Sequence, residues 1–309
     1  GLTFKQDPGP TGTYWMPESI GSGGSLLDND NDGRMDVYLI HGAPASHGAR
    51  NQLFHQESDG RFRNVSAGSG LDVSGPGMGA AVGDVNNDGR PDLLLTEFGR
   101  ARLFINRGEG RFDERGRDSG IDNPRWATSA AFVGYDRDGW LDLVIANYVD
   151  YTPTTQCSDS KGQREYCGPQ GMPGTSARLY RNRGPLGARF EDVTATSRLA
   201  TRVGAGMGVL CADFNGDHWP DIFIADDGTA NRLFVNQRDG TLAEEAVQRG
   251  LAYSALGGAV ADMGIAHGDV DGNGRFDLFI PHVSWEQHAL WTQTAAGLFQ
   301  DQAITASLT

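Results

Sequence analysis

One acidic nine-residue segment, which occurs five times, most limits what this chain can fold into. Its first copy has glycine at position 6 and aspartates at positions 1, 3, 5 and 9, namely Asp28, Asp30, Asp32 and Asp36. Alternating oxygen-bearing side chains suit a hard cation such as Ca²⁺, and the glycine allows the sharp turn that returns the later ligands to the ion. An EF-hand would need Glu at position 12 and flanking helices, whereas this chain has Leu39 there, within a strand pattern. The segment therefore predicts a cation-binding loop that leads into a β-strand.

The loop recurs at residues 84–92, 134–142, 213–221 and 269–277, so successive copies begin 56, 50, 79 and 56 residues apart. Each copy follows a run of small apolar residues, which we interpret as inner strands at residues 23–27, 79–82, 129–133, 206–210 and 263–266. An apolar strand follows each loop, then a third element such as Leu103-Phe104-Ile105-Asn106, a hairpin turn and a fourth element. Four short strands per unit at this period predict the blades of an all-β β-propeller. The single helical pattern covers residues 243–249.

The repeats predict one propeller domain over residues 1–309 but leave its closure open. Gly1-Leu2 resembles the end of a fourth strand, so it would complete the last blade and close a five-bladed ring, which we favour. The alternative is a truncated seven-bladed form. Because the chain begins without an initiator Met or a signal peptide, we expect a processed form or a fragment.

Charge and composition exclude several functions. The formal net charge of −14 disfavours nucleic acid and anionic membrane surfaces as partners. No apolar run approaches 18 residues, so no transmembrane helix is predicted. The chain has no G-x-S-x-G nucleophile motif, no P-loop and no dinucleotide fingerprint. His41 and His282 follow equivalent strands, and we interpret them as structural rather than catalytic.

The 79-residue interval between the starts of loops three and four contains an insert at about residues 152–175. Cys157 and Cys167 lie ten residues apart in it, a spacing that does not fit a zinc site. We favour a disulfide between them, which would indicate an oxidising compartment, and we interpret Cys211 as a buried thiol in a strand. A loop held by a disulfide suits partner recognition, and a loop without a binding role is an equal alternative.

The five loops, the segment from Tyr148-Val149-Asp150-Tyr151 to Cys167-Gly168-Pro169 and the Leu-Phe-x-Asn elements resemble FG-GAP/VCBS repeats. The chain is similar to the ASPIC/UnbV group, which includes cartilage acidic protein, and to the blades of integrin α chains. This resemblance covers nearly the whole chain. It implies that side chains at positions 1, 3, 5 and 9 and the carbonyl at position 7 bind Ca²⁺.

Transferred to this sequence, the resemblance assigns one ligand set to each loop. Loops one, two and five match fully, with Asp28, Asp30, Asp32, Arg34 and Asp36, with Asp84, Asn86, Asp88, Arg90 and Asp92, and with Asp269, Asp271, Asn273, Arg275 and Asp277. Loop four offers Asp213, Asn215, Asp217, Trp219 and Asp221 but has His218 at position 6, so a strained turn is expected. Loop three retains Asp136, Asp138, Trp140 and Asp142 but has Gly134 at position 1. We expect three well-formed and two weaker Ca²⁺ sites.

The resulting expectation is a non-enzymatic, calcium-stabilised propeller that is secreted, extracellular or periplasmic. It would act as a scaffold or adhesion module with a protein partner, or as an accessory subunit of a larger assembly. The alternative is a carbohydrate-active, lyase-like enzyme, because FG-GAP-like propellers also support such chemistry. The inner strands consist mostly of Gly, Ala, Ser and Val, which favours the scaffold.

Overall fold

The computed structural model describes residues 1–283, 285–294 and 297–308, except for the side chains of Arg117 and Leu186. Within these residues the protein is almost entirely β-structure, with five four-stranded antiparallel sheets and one two-stranded hairpin. In every four-stranded sheet the strands are hydrogen-bonded in chain order, as in the blades of a propeller. The predicted all-β propeller fold is confirmed.

The five sheets are named blades one to five. Blade one contains β1 (Gly24–Leu27), β2 (Asp36–Leu39), β3 (Gln52–Gln56) and β4 (Phe62–Asn64). Blade two contains β5 (Gly77–Gly83), β6 (Asp92–Glu97), β7 (Arg100–Gly108) and β8 (Arg111–Arg115). Blade three contains β9 (Ala127–Val133), β10 (Asp142–Asn147), β13 (Arg178–Asn182) and β14 (Phe190–Asp192). Blade four contains β15 (Gly206–Ala212), β16 (Asp221–Asp226), β17 (Arg232–Asn236) and β18 (Leu242–Glu244). Blade five contains β19 (Ala266–Gly268), β20 (Asp277–Ile280), β21 (Ala289–Gln293) and β22 (Phe299–Asp301).

Within the described ranges, helical structure is confined to short segments. The predicted helix is present as α1 (Ala246–Arg249), shorter than its pattern. Five 3-10 turns lie at Met16–Ser19, Ala45–His47, Arg117–Ser119, Gly184–Leu186 and Leu199–Thr201. No helix among the described residues is long and apolar enough to cross a membrane.

Hydrophobic cores lie between consecutive blades. The second strand of a blade is covered on both faces, which explains its continuous apolar sequence, and Leu93, Leu94 and Leu95 of β6 are fully buried. Four clusters join blade one to two, two to three, three to four and four to five. The inner strands approach closely, because a Cβ on Gly79 would lie 2.9 Å from the carbonyl oxygen of Thr128 in blade three. The predicted crowding of the inner strands is therefore observed.

Two predictions about strands are wrong. The inner strand of blade five is Ala266–Gly268 instead of residues 263–266. Gly1-Leu2 forms no strand with blade five, whose fourth strand is β22 from its own repeat. Instead, the N-terminal amine lies 3.5 Å from the carbonyl oxygen of Phe62 in blade one. Ring closure through Gly1-Leu2 is therefore not observed.

The insert packs against the N-terminal segment. It contains the hairpin β11 (Cys157–Ser158) and β12 (Arg164–Glu165), and Cys157 and Cys167 form the predicted disulfide. Tyr166 donates a hydrogen bond of 2.8 Å to Glu18, in the N-terminal segment. An aromatic cluster that includes Trp126 and Tyr148 lies beneath these segments. This contact joins residues 148 positions apart.

Candidate metal centres

The aspartate at position 9 is buried in each loop, and it holds the loop to the third strand. In loop two, Oδ1 of Asp92 accepts the N–H of Asn106 at 2.8 Å, and Oδ2 accepts the N–H of Val85 at 3.0 Å. The equivalent pair of bonds is made by Asp36, Asp142, Asp221 and Asp277. All five are at most 1% exposed. These residues therefore have a structural role that holds with or without a metal ion.

Burial also raises the pKa of three of these carboxyl groups. Desolvation raises the pKa of Asp92 to about 6 and the pKa of Asp142 and Asp221 to about 7, although the two N–H donors to each oppose the shift. A divalent cation beside a carboxylate favours its ionised form. Protons and a metal ion would therefore compete for loops two, three and four.

The aspartate at position 1 folds the loop inward. In loop one, Oδ1 of Asp28 accepts the N–H of Asp32 at 3.0 Å and Oδ2 accepts that of Gly33 at 2.8 Å. Asp84, Asp213 and Asp269 make the same two bonds to positions 5 and 6 of their loops. These bonds close the first six residues of each of these loops into a turn.

Three carboxylates converge in two of the loops. Ligand oxygens of Asp28, Asp30 and Asp32 lie within 4.8 Å of one another, and so do those of Asp269, Asp271 and Asp277. Carboxylate oxygens are the ligands that Ca²⁺ prefers. Loops one and five therefore contain acidic clusters that could hold a metal ion.

The side chains at position 7 have a role that the sequence did not reveal. The resemblance assigned only their carbonyl groups to the metal. In the structure, the guanidinium groups of Arg34, Arg90 and Arg275 donate to a backbone carbonyl at or near the end of the third strand, at 2.8–3.2 Å. They brace the loop against the same strand that position 9 contacts.

Loop four reaches the common geometry despite its histidine. Position 6 is left-handed in all five loops, and His218 adopts φ 67° where the other loops have glycine. A non-glycine residue in this region is disfavoured, by roughly 1 kcal/mol or more. Position 4 is also left-handed, with Asn31, Asn87 and Arg137 at φ 55–62°. The asparagines in two loops and glycines in two others were a signal for this second turn.

Loop three contains a cation from the protein itself. Nε of Arg181 lies 2.6 Å from Oδ2 of Asp136, and its Nη2 lies 3.3 Å from Oδ2 of Asp138. Arg181 precedes Asn182 at the end of the third strand, where other blades have His55, Ile105, Val235 and Thr292. The sequence drew attention to the missing carboxylate at Gly134 but not to this arginine.

Consecutive blades are joined beside the loops by amide side chains. The side-chain amide of Asn106 donates a hydrogen bond of 3.0 Å to the carbonyl oxygen of Asn29, which is position 2 of the preceding loop. Asn182, Asn236 and Gln293 donate in the same way to Val85, Tyr135 and Phe214, at 2.7–2.8 Å. This explains the amide that ends each Leu-Phe-x-Asn element. Val85 is buried by the next blade, whereas its counterpart in loop five, Val270, is 59% exposed.

Buried ionisable groups near the opposite ends of the second strands contact one another or the backbone. Asp226 forms two hydrogen bonds with Arg232, at 2.6 and 2.8 Å, and neither is more than 3% exposed. Nε2 of His282 lies 2.6 Å from Asp262. Nδ1 of His41 accepts the N–H of Asp7 at 2.9 Å. These contacts fit the structural role expected for the two histidines.

Comparisons with known proteins identify the repeat. The family model described as FG-GAP-like repeat matches residues 28–95, 84–145 and 213–280. No curated protein matches significantly.

Two solved structures are similar at low identity. One concerns recognition of non-reducing terminal N-acetylglucosamine by an Agrocybe aegerita lectin, with 15% identity over 90% of this chain and 78% of that chain, and a TM-score of 0.38. The other is the V. cholerae biofilm matrix protein Bap1, with 13% identity over 91% of this chain and a TM-score of 0.48. This chain spans only 38% of the Bap1 chain. These TM-scores are too low to carry a functional argument.

Proposed function

Since the chain belongs to the FG-GAP-like repeat family, we propose that it is a non-enzymatic, calcium-stabilised propeller outside the cytoplasm, which acts as a scaffold or adhesion module. The observation that carries this proposal is the set of acidic loops before the second strands: in four of them the aspartate at position 1 accepts the N–H of position 5, and in loops one and five three carboxylates converge. Membership of the ASPIC/UnbV group stays a prediction.

The metal would have a structural role. The donors in loops one, two, four and five are side-chain oxygens at positions 1, 3, 5 and 9, which suit Ca²⁺. Loops one, two and four also accept the side-chain amide hydrogen bonds that join one blade to the next. If Ca²⁺ binds the folded state and not the unfolded chain, it would therefore stabilise the contacts between neighbouring blades.

Two observations support the location and the absence of catalysis in this proposal. The disulfide between Cys157 and Cys167 is typical of proteins from oxidising compartments. The buried Asp226 is paired with Arg232, and Asp262 with His282, as structural groups are. A single protein partner, or the other subunits of a larger assembly, would bind to the surface of the propeller.

Removal of Ca²⁺ tests the proposal. We expect EGTA to lower the melting temperature by several degrees, because binding at 100 times the Kd contributes about 2.7 kcal/mol per site. Differential scanning calorimetry with added Ca²⁺, EGTA or Mg²⁺ would measure it, and metal analysis after gel filtration would count the ions. An identical melt in EGTA and in millimolar Ca²⁺ would refute calcium stabilisation.

A further inference from the structure

We propose that loop one binds a first-row transition-metal ion such as Zn²⁺, with Nδ1 of the His55 imidazole as a ligand beside Asp30 and Asp36. The inference rests on one part of the proposed function, namely that the loops bind metal ions. It differs in the chemistry of this one site, which would combine nitrogen with oxygen ligands.

His55 is buried and directed into the acidic cluster. It is only 8% exposed, and its Nδ1 atom is buried and makes no hydrogen bond. Nδ1 lies 3.1 Å from Oδ1 of Asp36 and 3.6 Å from Oδ2 of Asp30. On the other side of the ring, Nε2 lies 3.6 Å from Oδ2 of Asp32. A buried nitrogen without a hydrogen-bonding partner is costly, and a metal ion would satisfy it.

The spacing of these atoms suits one shared ion. Zinc is bound at about 2.0–2.2 Å by nitrogen and oxygen, so two neighbouring ligands of one ion lie roughly 2.8–3.6 Å apart at tetrahedral or octahedral angles. The distance from Nδ1 to Asp36 is within this range, and the distance to Asp30 is at its upper end. Ligand atoms of Asp30, Asp36 and His55 all lie within 4.8 Å of one another.

The donor set favours a transition metal over Ca²⁺. Ca²⁺ takes oxygen ligands, whereas imidazole suits zinc, copper, iron and nickel. At the equivalent position blades two and four have Ile105 and Val235, which offer no ligand atom. The nitrogen ligand is therefore a feature of blade one.

A cavity provides access to this site. It has a volume of about 310 Å³, and Asp30, His55, Arg63, Glu109 and Arg111 line it. Water in this space would complete the coordination of the ion, and the opening gives the ion an entry path.

A protonated His55 is the competing explanation. It would act as a fixed counter-cation for the loop, as the Arg181 guanidinium does in loop three. In that case a transition metal would gain nothing from the imidazole, and removing the ring would not weaken Zn²⁺ binding relative to Ca²⁺.

The experiment compares Zn²⁺ and Ca²⁺ binding to the full chain and two variants. His55→Ile introduces the residue of blade two, and His47→Gln is the control, since His47 is an exposed imidazole 3.0 Å from Asp7. Calorimetric titration with Zn²⁺ in millimolar Ca²⁺ should show one tight site in the wild type and in His47→Gln. We expect His55→Ile to weaken it about tenfold or more, because it removes a direct ligand. Cu²⁺ electron paramagnetic resonance should show nitrogen coupling that the His55→Ile variant loses.

The outcomes are distinguishable. Equal Zn²⁺ affinity in the wild type and His55→Ile, or a spectrum without nitrogen coupling in the wild type, would overturn the inference. If Ca²⁺ occupies loop one and Zn²⁺ does not displace it, the inference fails and the proposed function stands. If neither ion binds to any loop, calcium stabilisation also fails. Because a wild-type Cu²⁺ spectrum without nitrogen coupling overturns the inference by itself, the proposal stays falsifiable even if His55→Ile folds poorly.

Discussion

Replacing Arg181 by methionine tests whether this side chain takes the place of a metal ion in loop three. Its guanidinium group contacts Asp136 at 2.6 Å and Asp138 at 3.3 Å. Methionine keeps most of the aliphatic length and removes the charge, leaving three carboxylates in the loop without a counter-ion.

The expected cost follows from exposure. Unit charges 4 Å apart interact by about 4 kcal/mol at an effective dielectric constant of 20 and about 1 kcal/mol in bulk water. Arg181 and Asp138 are 37% and 31% exposed, so solvent screening brings the contacts near the lower value. We expect Arg181→Met to lose about 1–2 kcal/mol of unfolding free energy without Ca²⁺. The loss should shrink in 0.5 M NaCl, because salt screens exposed charges.

A second variant asks whether loop three can become a metal site. A Cβ added to Gly134 would lie 3.7 Å from the carbonyl oxygen of Trp140, an ordinary contact, so an aspartate backbone fits. The double variant Gly134→Asp/Arg181→Met restores the missing carboxylate and removes the competing cation. It should bind one more Ca²⁺ than the wild type.

Urea unfolding and equilibrium dialysis measure the two effects. Arg183→Met is the matched control, because Arg183 lies two residues further on and pairs with Glu191 at the surface. It should change neither Ca²⁺ stoichiometry nor salt dependence. Unchanged stability of Arg181→Met in Ca²⁺-free buffer, or wild-type stoichiometry in the double variant, would refute the assignment of Arg181 as a substitute cation.

Two further predictions concern buried groups. Arg232→Met should lower the free energy of unfolding, measured in urea, by about 3–5 kcal/mol, because it leaves Asp226 buried without its partner. The control is the same substitution at the exposed Arg202, which lies 3.7 Å from Glu244 and should cost below about 1 kcal/mol. Burial raises the pKa of the Cys211 thiol to about 12, so the reactive thiolate forms only as the pH approaches that value. Iodoacetamide at pH 8 should label Cys211 slowly in the native protein and rapidly in urea, and native labelling at the rate of a free cysteine would contradict this.

The sequence alone determined the elements that depend on local spacing. Repeated loops, continuous apolar second strands and small inner-strand residues were enough to predict blades of four strands. Each of these features repeats within one unit, so it is visible as a period in the chain. The pairing of Cys157 with Cys167 was also predictable, since the two lie close together in one insert.

Tertiary structure decided the contacts that cross between elements. The charge of Arg181 reaches Asp138, 43 residues earlier, and Asn236 reaches Tyr135, 101 residues earlier. His55 meets its three aspartates because the end of the third strand lies against the loop. Spacing along the chain does not record which side chain packing brings into a loop. The same acidic segment therefore becomes an oxygen-rich cluster in loop five, an arginine-filled loop in blade three and a mixed nitrogen and oxygen cluster in blade one.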